Sequence, residues 1–352
     1  MKYIGNKFKL LGFIEDSLRL GGVPSSGQFT DLFSGTTSVA EHFKKLGFSV
    51  TANDFMTYSY ALQKAFIESN ETPNFAKLMC SQNIYELETP ALSVLGHLNN
   101  LEPVKGYAFQ NYGHGGSENR MYFTGDNASR VDAIRDQIAD WHKVELINNG
   151  EFFYLLAALI DAADHVANMS GTYGAFLKVW RSVALKRIEL KGRTVYDNSL
   201  VNFANRETAE ALITEISGDI LYLDPPYNSR QYASNFHVLE SIAVWDKQEL
   251  RGKTGLRDYE DQKSDFSSKS KAADALESIV TKAKFNFIAL SYNNEGIIPH
   301  EQILEILSKK GEVKVFSHEY RRFRTERDHE KRQYKDVGDK TEEFLFLVKV
   351  MG

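Results

Sequence analysis

The tetrapeptide Asp224-Pro225-Pro226-Tyr227 is the part of this chain whose residue types are best suited to chemistry. It follows the apolar run 220–223, which predicts a buried strand, and ligands of open α/β sheets bind beyond the carboxyl ends of their strands. The two prolines withhold two backbone N–H groups and stiffen the turn. The turn therefore offers acceptors, the Asp224 carboxylate and a proline carbonyl, to the two N–H donors of an exocyclic amino group. Tyr227 adds an aromatic face for a planar base, although a Pro-rich strand exit without a function is the alternative interpretation.

A second candidate site lies in the stretch 31–37, which reads DLFSGTT. It follows a predicted strand at 29–33, and Gly35 lets the backbone approach a nucleotide-type ligand. Asp54 ends the next predicted strand, at 48–52, where an acidic residue fits the recognition of ribose hydroxyls. An ordinary strand-to-helix turn and a solvated aspartate are the alternatives.

The elements around these residues predict an α/β fold interrupted by helices. Strand, tight turn, helix (38–46) and strand form the first half of a nucleotide-binding unit. Residues 76–190 show helical periodicity and few strand patterns, so one α/β domain, 1–75 and 191–352, is predicted around a helical insertion. The charged segment 246–271 is predicted to be a mobile loop. The further predicted strands are 194–197, 220–223, 285–290, 313–317 and 344–350.

Composition excludes several classes of protein. A single cysteine in 352 residues excludes an internal disulfide framework, and the nine histidines show no ligand spacing, so no metal is predicted. No run approaches the roughly 20 apolar residues of a membrane span, and the first residues lack the apolar core of a signal peptide, so a cytoplasmic location is predicted. The net charge of −5, taken alone, argues weakly against nucleic acid as a partner.

Three motifs in a fixed order resemble a known family. The chain carries YIGNK at 3–7, DLFSGTTSVA at 31–40 and DPPY at 224–227, with the insertion before DPPY. In this order they resemble the alpha-group, Dam-like adenine-specific DNA methyltransferases. YDN at 196–198, NSRQYASNFHVLE at 228–240 and SYNNEG at 291–296 strengthen the likeness, and the last two are similar to the FokI-like branch. The resemblance covers most of the chain and implies a Rossmann-like class I methyltransferase domain with a mostly helical inserted target-recognition region.

The resemblance also implies a site for the cofactor S-adenosylmethionine. Tyr3 and Lys7 would lie near its methionine carboxylate, Asp54 would bind the ribose hydroxyls and Asp197 would accept from the adenine amino group. There is one departure, because Thr37 stands where the family has its second glycine of this loop. The full set implied to bind the cofactor is Tyr3, Lys7, Asp31, Phe33, Ser34, Gly35, Asp54, Asp197 and Asp224.

The reaction implied by the resemblance is methyl transfer to the amino nitrogen of adenine in double-stranded DNA. The target nucleotide must be flipped out of the duplex, with Asp224, Pro225, Pro226 and Tyr227 holding the base. The protein would be site-specific and part of a restriction–modification system, with a cognate restriction endonuclease as a possible partner and a monomeric or weakly dimeric state. Two alternatives stay open: an amino-group methyltransferase for rRNA adenine, DNA cytosine or a glutamine amide, and a non-catalytic module that binds S-adenosylmethionine or DNA.

Basic and aromatic residues are predicted to contact DNA in two places. The segment 319–335 holds seven basic and four acidic residues, and Arg321, Arg322 and Arg324 are its candidates for phosphate contacts. Arg230 and Tyr232 directly follow DPPY. The mobile loop 246–271 could order over DNA. The alternatives are a solvated, salt-bridged face for the first segment and packing beneath the turn for the second.

Overall fold

A computed structural model describes residues 6–82, 84–321 and 340–351. The chain divides into two compact units, each described separately below. The helical unit contains Met56–Ala204 and Ala233–Asp261. The sheet unit contains Asn6–Phe55, Asn205–Tyr232 and the chain from Gln262 onward.

Seven strands of the described residues form one mixed sheet. They are β1 (Gln28–Asp31), β2 (Ser49–Asn53), β3 (Phe203–Asn205), β4 (Ser217–Leu223), β5 (Lys284–Asn293), β6 (Gly311–Arg321) and β7 (Lys340–Val350), in the order β3-β2-β1-β4-β5-β7-β6. The pairs β1–β2, β1–β4 and β4–β5 are parallel, whereas β7 is antiparallel to both β5 and β6. Because Glu343 pairs with Asn293, the start of β7 lies beside the end of β5, at the same edge as the end of β4.

Helices cover the core of the sheet unit. They are α1 (Leu11–Leu20), α2 (Ser38–Lys45), α9 (Ala209–Glu215), α12 (Ala272–Lys282) and α13 (His300–Ser308), and a 3-10 turn at Lys7–Leu10 precedes α1. Apolar residues of β4 and of the segment 285–290 of β5, which the sequence predicts to be a strand, are buried in one core. Side chains of α12 and α13 complete this core. Burial of such runs drives the sheet to form and leaves its polar residues at the strand ends.

The helical unit contains α3 (Thr57–Gln63), α4 (Ala76–Ser81), α5 (Pro90–Asn99), α6 (Tyr107–Tyr112), α7 (Gly125–Lys143), α8 (Asn149–Val166) and α11 (His237–Val244); the short α10 (Tyr232–Asn235) spans the division between the units. A capping box between Asn148 and Glu151 starts α8, whose apolar face is buried. Within the described residues, no helix is long and apolar enough to cross a membrane.

The α/β class is confirmed, and most predicted strands are present with bounds moved by a few residues. The strand predicted at 194–197 is wrong: this segment has no strand in the structure, and Val195 is its only buried residue. Its β-branched and aromatic residues suggested a strand, but strand propensity needs a packed partner to be realised. The short β3 was missed, because three half-exposed or exposed residues carry no periodic signal.

The predicted segmentation of the chain stays a prediction. Residues 76–190 lie within the helical unit and contain α4 to α8. Residues 246–261 belong to the helical unit and 262–271 to the sheet unit, with 3-10 turns at Glu260–Gln262 and Asp265–Ser267. The mobility predicted for 246–271 is not tested by these positions.

Candidate active site

The DPPY turn leaves the sheet at the carboxyl end of β4. Asp224 is the first residue after the strand and its side chain is 14% exposed. The turn is held from the side of β5, because the Tyr227 carbonyl accepts a hydrogen bond from the Ile297 N–H (3.1 Å). The Tyr227 ring meets the Tyr292 ring edge-on, with centroids 6.1 Å apart. Tyr292 of the SYNNEG motif (291–296) and Ile297, which follows this motif, therefore support the DPPY turn.

Lys7 reaches this turn from the N-terminal segment of the chain. The Asn6 side chain accepts from the Phe8 N–H (2.8 Å) and so caps the 3-10 turn that carries Lys7. The Lys7 side chain is 4% exposed, and its Nζ lies 3.2 Å from Asp224 Oδ1. The same ammonium lies 5.4 Å from the centroid of the Tyr227 ring. Lys7 is thus a buried cation placed directly against the DPPY turn.

Glu343 completes this group, and no sequence motif had marked it. Its side chain is 1% exposed, forms an ion pair with Lys7 and accepts a hydrogen bond from Ser291 Oγ (2.8 Å). Glu343 is near the start of β7, and it arrives beside Asp224 because β7 runs antiparallel to β5. The available signal was two glutamates directly before the apolar run of a closing strand. Using it would have required knowing the direction of that strand.

The site has an excess of buried negative charge. Burial raises the pKa of Asp224 to about 7, Glu343 adds to the rise and Lys7 opposes it. Asp31, at the end of β1, is buried, and its pKa is raised well above the usual value by burial and by Asp224. Burial would lower the pKa of Lys7, but the attraction of Asp224 and Glu343 raises it. Two carboxylates share one ammonium and a third, Asp31, interacts with Asp224, an arrangement typical of functional sites.

The loop after β1 is tied to the end of β2. The Ser34 N–H and Oγ both donate to the Asn53 carbonyl (2.8 and 3.1 Å), and the Gly35 N–H donates to Asp54 Oδ2 (2.9 Å). Gly35 (φ 48°) and Thr37 (φ 64°) both adopt the left-handed conformation. The departure at Thr37 therefore places a β-branched residue where glycine would be free of strain.

The residues after DPPY lie around the same turn. Arg230 is exposed; its N–H donates to Asn228 Oδ1 (3.0 Å) and its carbonyl accepts from Ser267 Oγ (3.3 Å). Tyr232 is half-buried, and burial raises the pKa of its phenol, as do the nearby Tyr227 and Asp224. Arg230 is available to a ligand, whereas the Tyr232 hydroxyl belongs to the electrostatic surroundings of Asp224.

The structure brings together Lys7, Asp31, Asp224 and Tyr227, with Phe33 half-buried against Phe266 (ring centroids 5.2 Å apart). Asp197 belongs to the helical unit, is exposed and accepts from the Ser199 N–H (2.7 Å). Tyr3, Arg322 and Arg324 lie outside the described residues, as does the side chain of Arg321. The functional roles of all these residues stay predictions.

The arrangement offers acceptors and a proton-binding carboxylate at one sheet edge. Among the described residues there is no group of three or more metal-ligating side chains placed to hold a metal ion. The Asp31 Oδ1 atom is buried and has no hydrogen-bond partner among the described residues. Excess carboxylates and such an acceptor suit a ligand that carries cationic and N–H or O–H groups.

Comparisons with known proteins point to one family. Residues 3–306 match the family described as D12 class N6 adenine-specific DNA methyltransferase. The chain is 39% identical over 354 residues to Type II methyltransferase M.FokI of Planomicrobium okeanokoites, covering 99% of this chain and 52% of the relative. It is 38% identical over 350 residues to Type II methyltransferase M.NlaIII of Neisseria lactamica, covering 99% of both. Modification methylase StsI of Streptococcus sanguinis is 39% identical over 331 residues, 92% of this chain and 49% of that protein. The chain thus spans about half the length of M.FokI and of StsI.

Proposed function

The chain belongs to the D12 class N6 adenine-specific DNA methyltransferase family, and we propose that it transfers a methyl group from S-adenosylmethionine to the amino nitrogen of a specific adenine in double-stranded DNA. The observation that carries this proposal is Asp224, a largely shielded acceptor at the carboxyl end of β4, held beside Lys7 within the DPPY turn. The relatives are named type II methyltransferases and modification methylases, which supports a role in a restriction–modification system.

The turn would make the adenine amino group a better nucleophile. The lone pair of this nitrogen is delocalised into the ring, so it attacks poorly. When Asp224 and the Pro226 carbonyl accept hydrogen bonds from its two N–H groups, the nitrogen becomes pyramidal and its lone pair is localised. The gain comes from positioning and fixed acceptors, without a covalent intermediate on the protein.

Asp224 would also take the proton that the reaction releases. As the bond from nitrogen to methyl forms and the bond from sulfur to methyl breaks, the nitrogen becomes positively charged and then acidic. A carboxylate with a pKa of about 7 accepts that proton at neutral pH. Because the reacting nitrogen lies inside a duplex, the nucleotide must first be flipped out, and the Tyr227 ring would stack on it.

The cofactor of this family, S-adenosylmethionine, supplies an activated methyl group on a sulfonium. The excess of buried carboxylates suits this cation, and Asp31 Oδ1 is an acceptor that a bound ligand would satisfy. We assign Phe33, Ser34 and Gly35 to the floor of its site, Asp54 to the ribose hydroxyls, Lys7 and Tyr3 to the methionine end and Asp197 to the adenine amino group, as the family resemblance implies.

DNA contacts would come from the same sheet edge. Arg230 is exposed beside the DPPY turn. Strand β6 ends and β7 begins at the edge where Asp224 lies, so the basic segment 319–335, with Arg321, Arg322 and Arg324, starts there. Such contacts make binding dependent on salt.

We further propose that residues 76–190 recognise the target sequence and that residues 246–271 become ordered over DNA. The protein would act in the cytoplasm as a monomer or weak dimer, with a cognate restriction endonuclease as a partner.

Product analysis tests the proposal. The purified protein would be incubated with a methyl-labelled donor and, separately, with duplex DNA, RNA and protein, and the products digested to nucleosides or amino acids. We expect label in DNA as N6-methyladenine, and none with Asp224→Ala, which should retain cofactor binding. Label in RNA or protein but not in DNA, or as N4-methylcytosine, would contradict the adenine-DNA assignment.

A further inference from the structure

We propose that Glu343 is a positioning residue of the methyl-transfer site. Because Glu343 shares Lys7 with Asp224, the ammonium does not fully neutralise the Asp224 carboxylate, which must accept a hydrogen bond from the adenine amino group. This inference rests on the proposed function. It concerns a strand beyond the part of the chain that the family description matches, which ends at residue 306.

The first support is the position of Glu343 in the sheet. The residue pairs with Asn293 on β5 and with His318 on β6. It therefore lies at the edge of the sheet that carries Asp224, although the two residues are far apart in sequence. Its side chain is 1% exposed, and a carboxylate is almost never buried so completely without a partner or a function.

The second support is the set of contacts. Lys7 Nζ pairs with both Glu343 Oε1 and Asp224 Oδ1, so one positive charge is divided between two carboxylates. Ser291 Oγ donates to the same Glu343 oxygen (2.8 Å) and fixes its direction. The second oxygen, Oε2, is buried without a hydrogen-bond partner in the described part of the chain. This geometry holds the Glu343 carboxylate against the Lys7 ammonium.

The consequence is electrostatic. If Glu343 lost its charge, Lys7 would pair with Asp224 alone and would favour its ionised form, which weakens Asp224 as a proton acceptor. The raised pKa of Asp224, to which burial contributes most and Glu343 adds, agrees with this reasoning. The titratable or charged groups that face Asp224 are Lys7, Tyr227, Asp31 on β1, Tyr222 on β4, Tyr232 on α10 and Glu343 on β7. His318, opposite Glu343 on β6, is exposed.

The test is the pH dependence of single-turnover methyl transfer by the full chain, with Glu343→Gln as the variant and Glu342→Gln as the control. The neighbouring Glu342 is half-exposed and outside the site. We expect Glu343→Gln to move the acid limb of the rate profile down by about one pH unit, which corresponds to tenfold in proton affinity, and to lower the plateau rate at least tenfold. Glu342→Gln should change neither. A slower Glu343→Gln with an unmoved acid limb would overturn the proposal, because a merely structural role lowers the rate without moving the limb.

A second variant covers the case in which Glu343→Gln fails to fold. The double variant Lys7→Met/Glu343→Gln removes one positive and one negative charge and keeps the net buried charge of the parent. It also removes the attraction that lowers the proton affinity of Asp224, so its acid limb should lie at or above that of the parent. An acid limb below that of the parent would overturn the proposal. A parent chain that transfers no methyl group to adenine would overturn the proposed function together with this assignment, whereas an active parent with an unmoved limb in Glu343→Gln overturns this assignment alone.

Discussion

Three buried charges of the helical unit are compensated by the ends of helices. Asp132 on α7 accepts from the N–H groups of Gly106, Ala108 and Phe109 (3.1, 2.7 and 2.8 Å) at the start of α6. Glu240 on α11 accepts from the first two N–H groups of α3 (3.0 and 3.1 Å). Because helix ends carry unsatisfied groups with partial charge, each carboxylate meets an oppositely charged partner in the backbone.

A basic residue of the helical unit follows the same rule with opposite sign. The Arg135 guanidinium donates to the carbonyls of Ile242 and Ala243 (2.8 and 3.1 Å), in the last turn of α11. Burial lowers its pKa to about 10. Arg135 thus caps the C-terminal end of one helix from the side of another.

The carboxylates of the sheet unit that surround the DPPY turn are compensated by a side-chain cation, and incompletely. Asp224 and Glu343 share Lys7, whereas Asp31 accepts from the Phe33 and Ala40 N–H groups and lies close enough to Asp224 for the like charge to raise its pKa. An incompletely compensated cluster destabilises the fold, so its presence indicates a purpose other than stability. The contrast teaches that burial of a charge does not identify a site, whereas the kind of partner does. We therefore expect removal of a buried charge to lower stability in the helical unit and to lower activity in the sheet unit.

The largest effect on stability is expected from Asp132→Ala, which removes the acceptor of the Ala108 and Phe109 N–H groups of α6 and leaves the Gly106 N–H with the Val104 carbonyl alone. We expect a loss of about 3 kcal/mol in the free energy of unfolding, measured with urea at pH 8. Asp140→Ala, at an exposed position on the same helix, should change it by less than about 0.5 kcal/mol. If the two variants are equally stable, helix-end compensation is not what holds this unit.

A buried histidine makes the stability of the helical unit depend on pH. His237 Nε2 bonds to the Tyr173 carbonyl (3.0 Å), and burial lowers the pKa of this imidazole to about 4. The unfolded chain, with a pKa of about 6.5, binds the proton first as pH falls, so stability is lost between roughly pH 6.5 and 4, by up to about 3 kcal/mol. His237→Gln should flatten this part of the unfolding free-energy curve. A variant with the slope of the parent would contradict the assignment.

One substitution made in both units should change stability to different extents. Asp31→Asn weakens the acceptor of the Phe33 and Ala40 N–H groups but relieves the repulsion from Asp224, so it should lower the free energy of unfolding at pH 8 by less than about 1 kcal/mol, while weakening cofactor binding. Asp132→Asn should lower it by more, because the amide is a weaker acceptor for three N–H groups. Denaturation at one pH compares the two directly, and an equal loss of stability in both would remove the distinction between the units.

The smallest effect concerns backbone strain in the sheet unit. Thr37 is buried with φ 64°, a conformation that costs a β-branched residue more than glycine. Thr37→Gly should be more stable than Thr37→Ala by about 1 kcal/mol, since both remove the hydroxyl but alanine keeps its Cβ. Equal thermal stabilities would show that the loop carries no such strain.

The sequence was informative where the chemistry lies in contiguous motifs at strand ends. DPPY and the loop around Gly35 were located from residue types at predicted strand ends and Lys7 from the family resemblance, and the structure places them at one sheet edge. Glu343 was missed because it depends on the antiparallel direction of β7, which a periodicity does not reveal. Asp132 and Arg135 were missed as caps, because their partners are helix ends distant in sequence that only packing brings near.

The most direct test of the contrast is made on Asp224→Asn, by measuring methyl transfer and unfolding on the same preparation at pH 8. Asparagine keeps the size of the side chain and removes its charge, so Lys7 keeps Glu343 as its partner. We expect transfer to DNA adenine to fall about 10³-fold while the free energy of unfolding is unchanged or higher by about 1–2 kcal/mol. Near-normal transfer, or a loss of more than about 2 kcal/mol in stability, would contradict the assignment of the buried charge at this edge to chemistry.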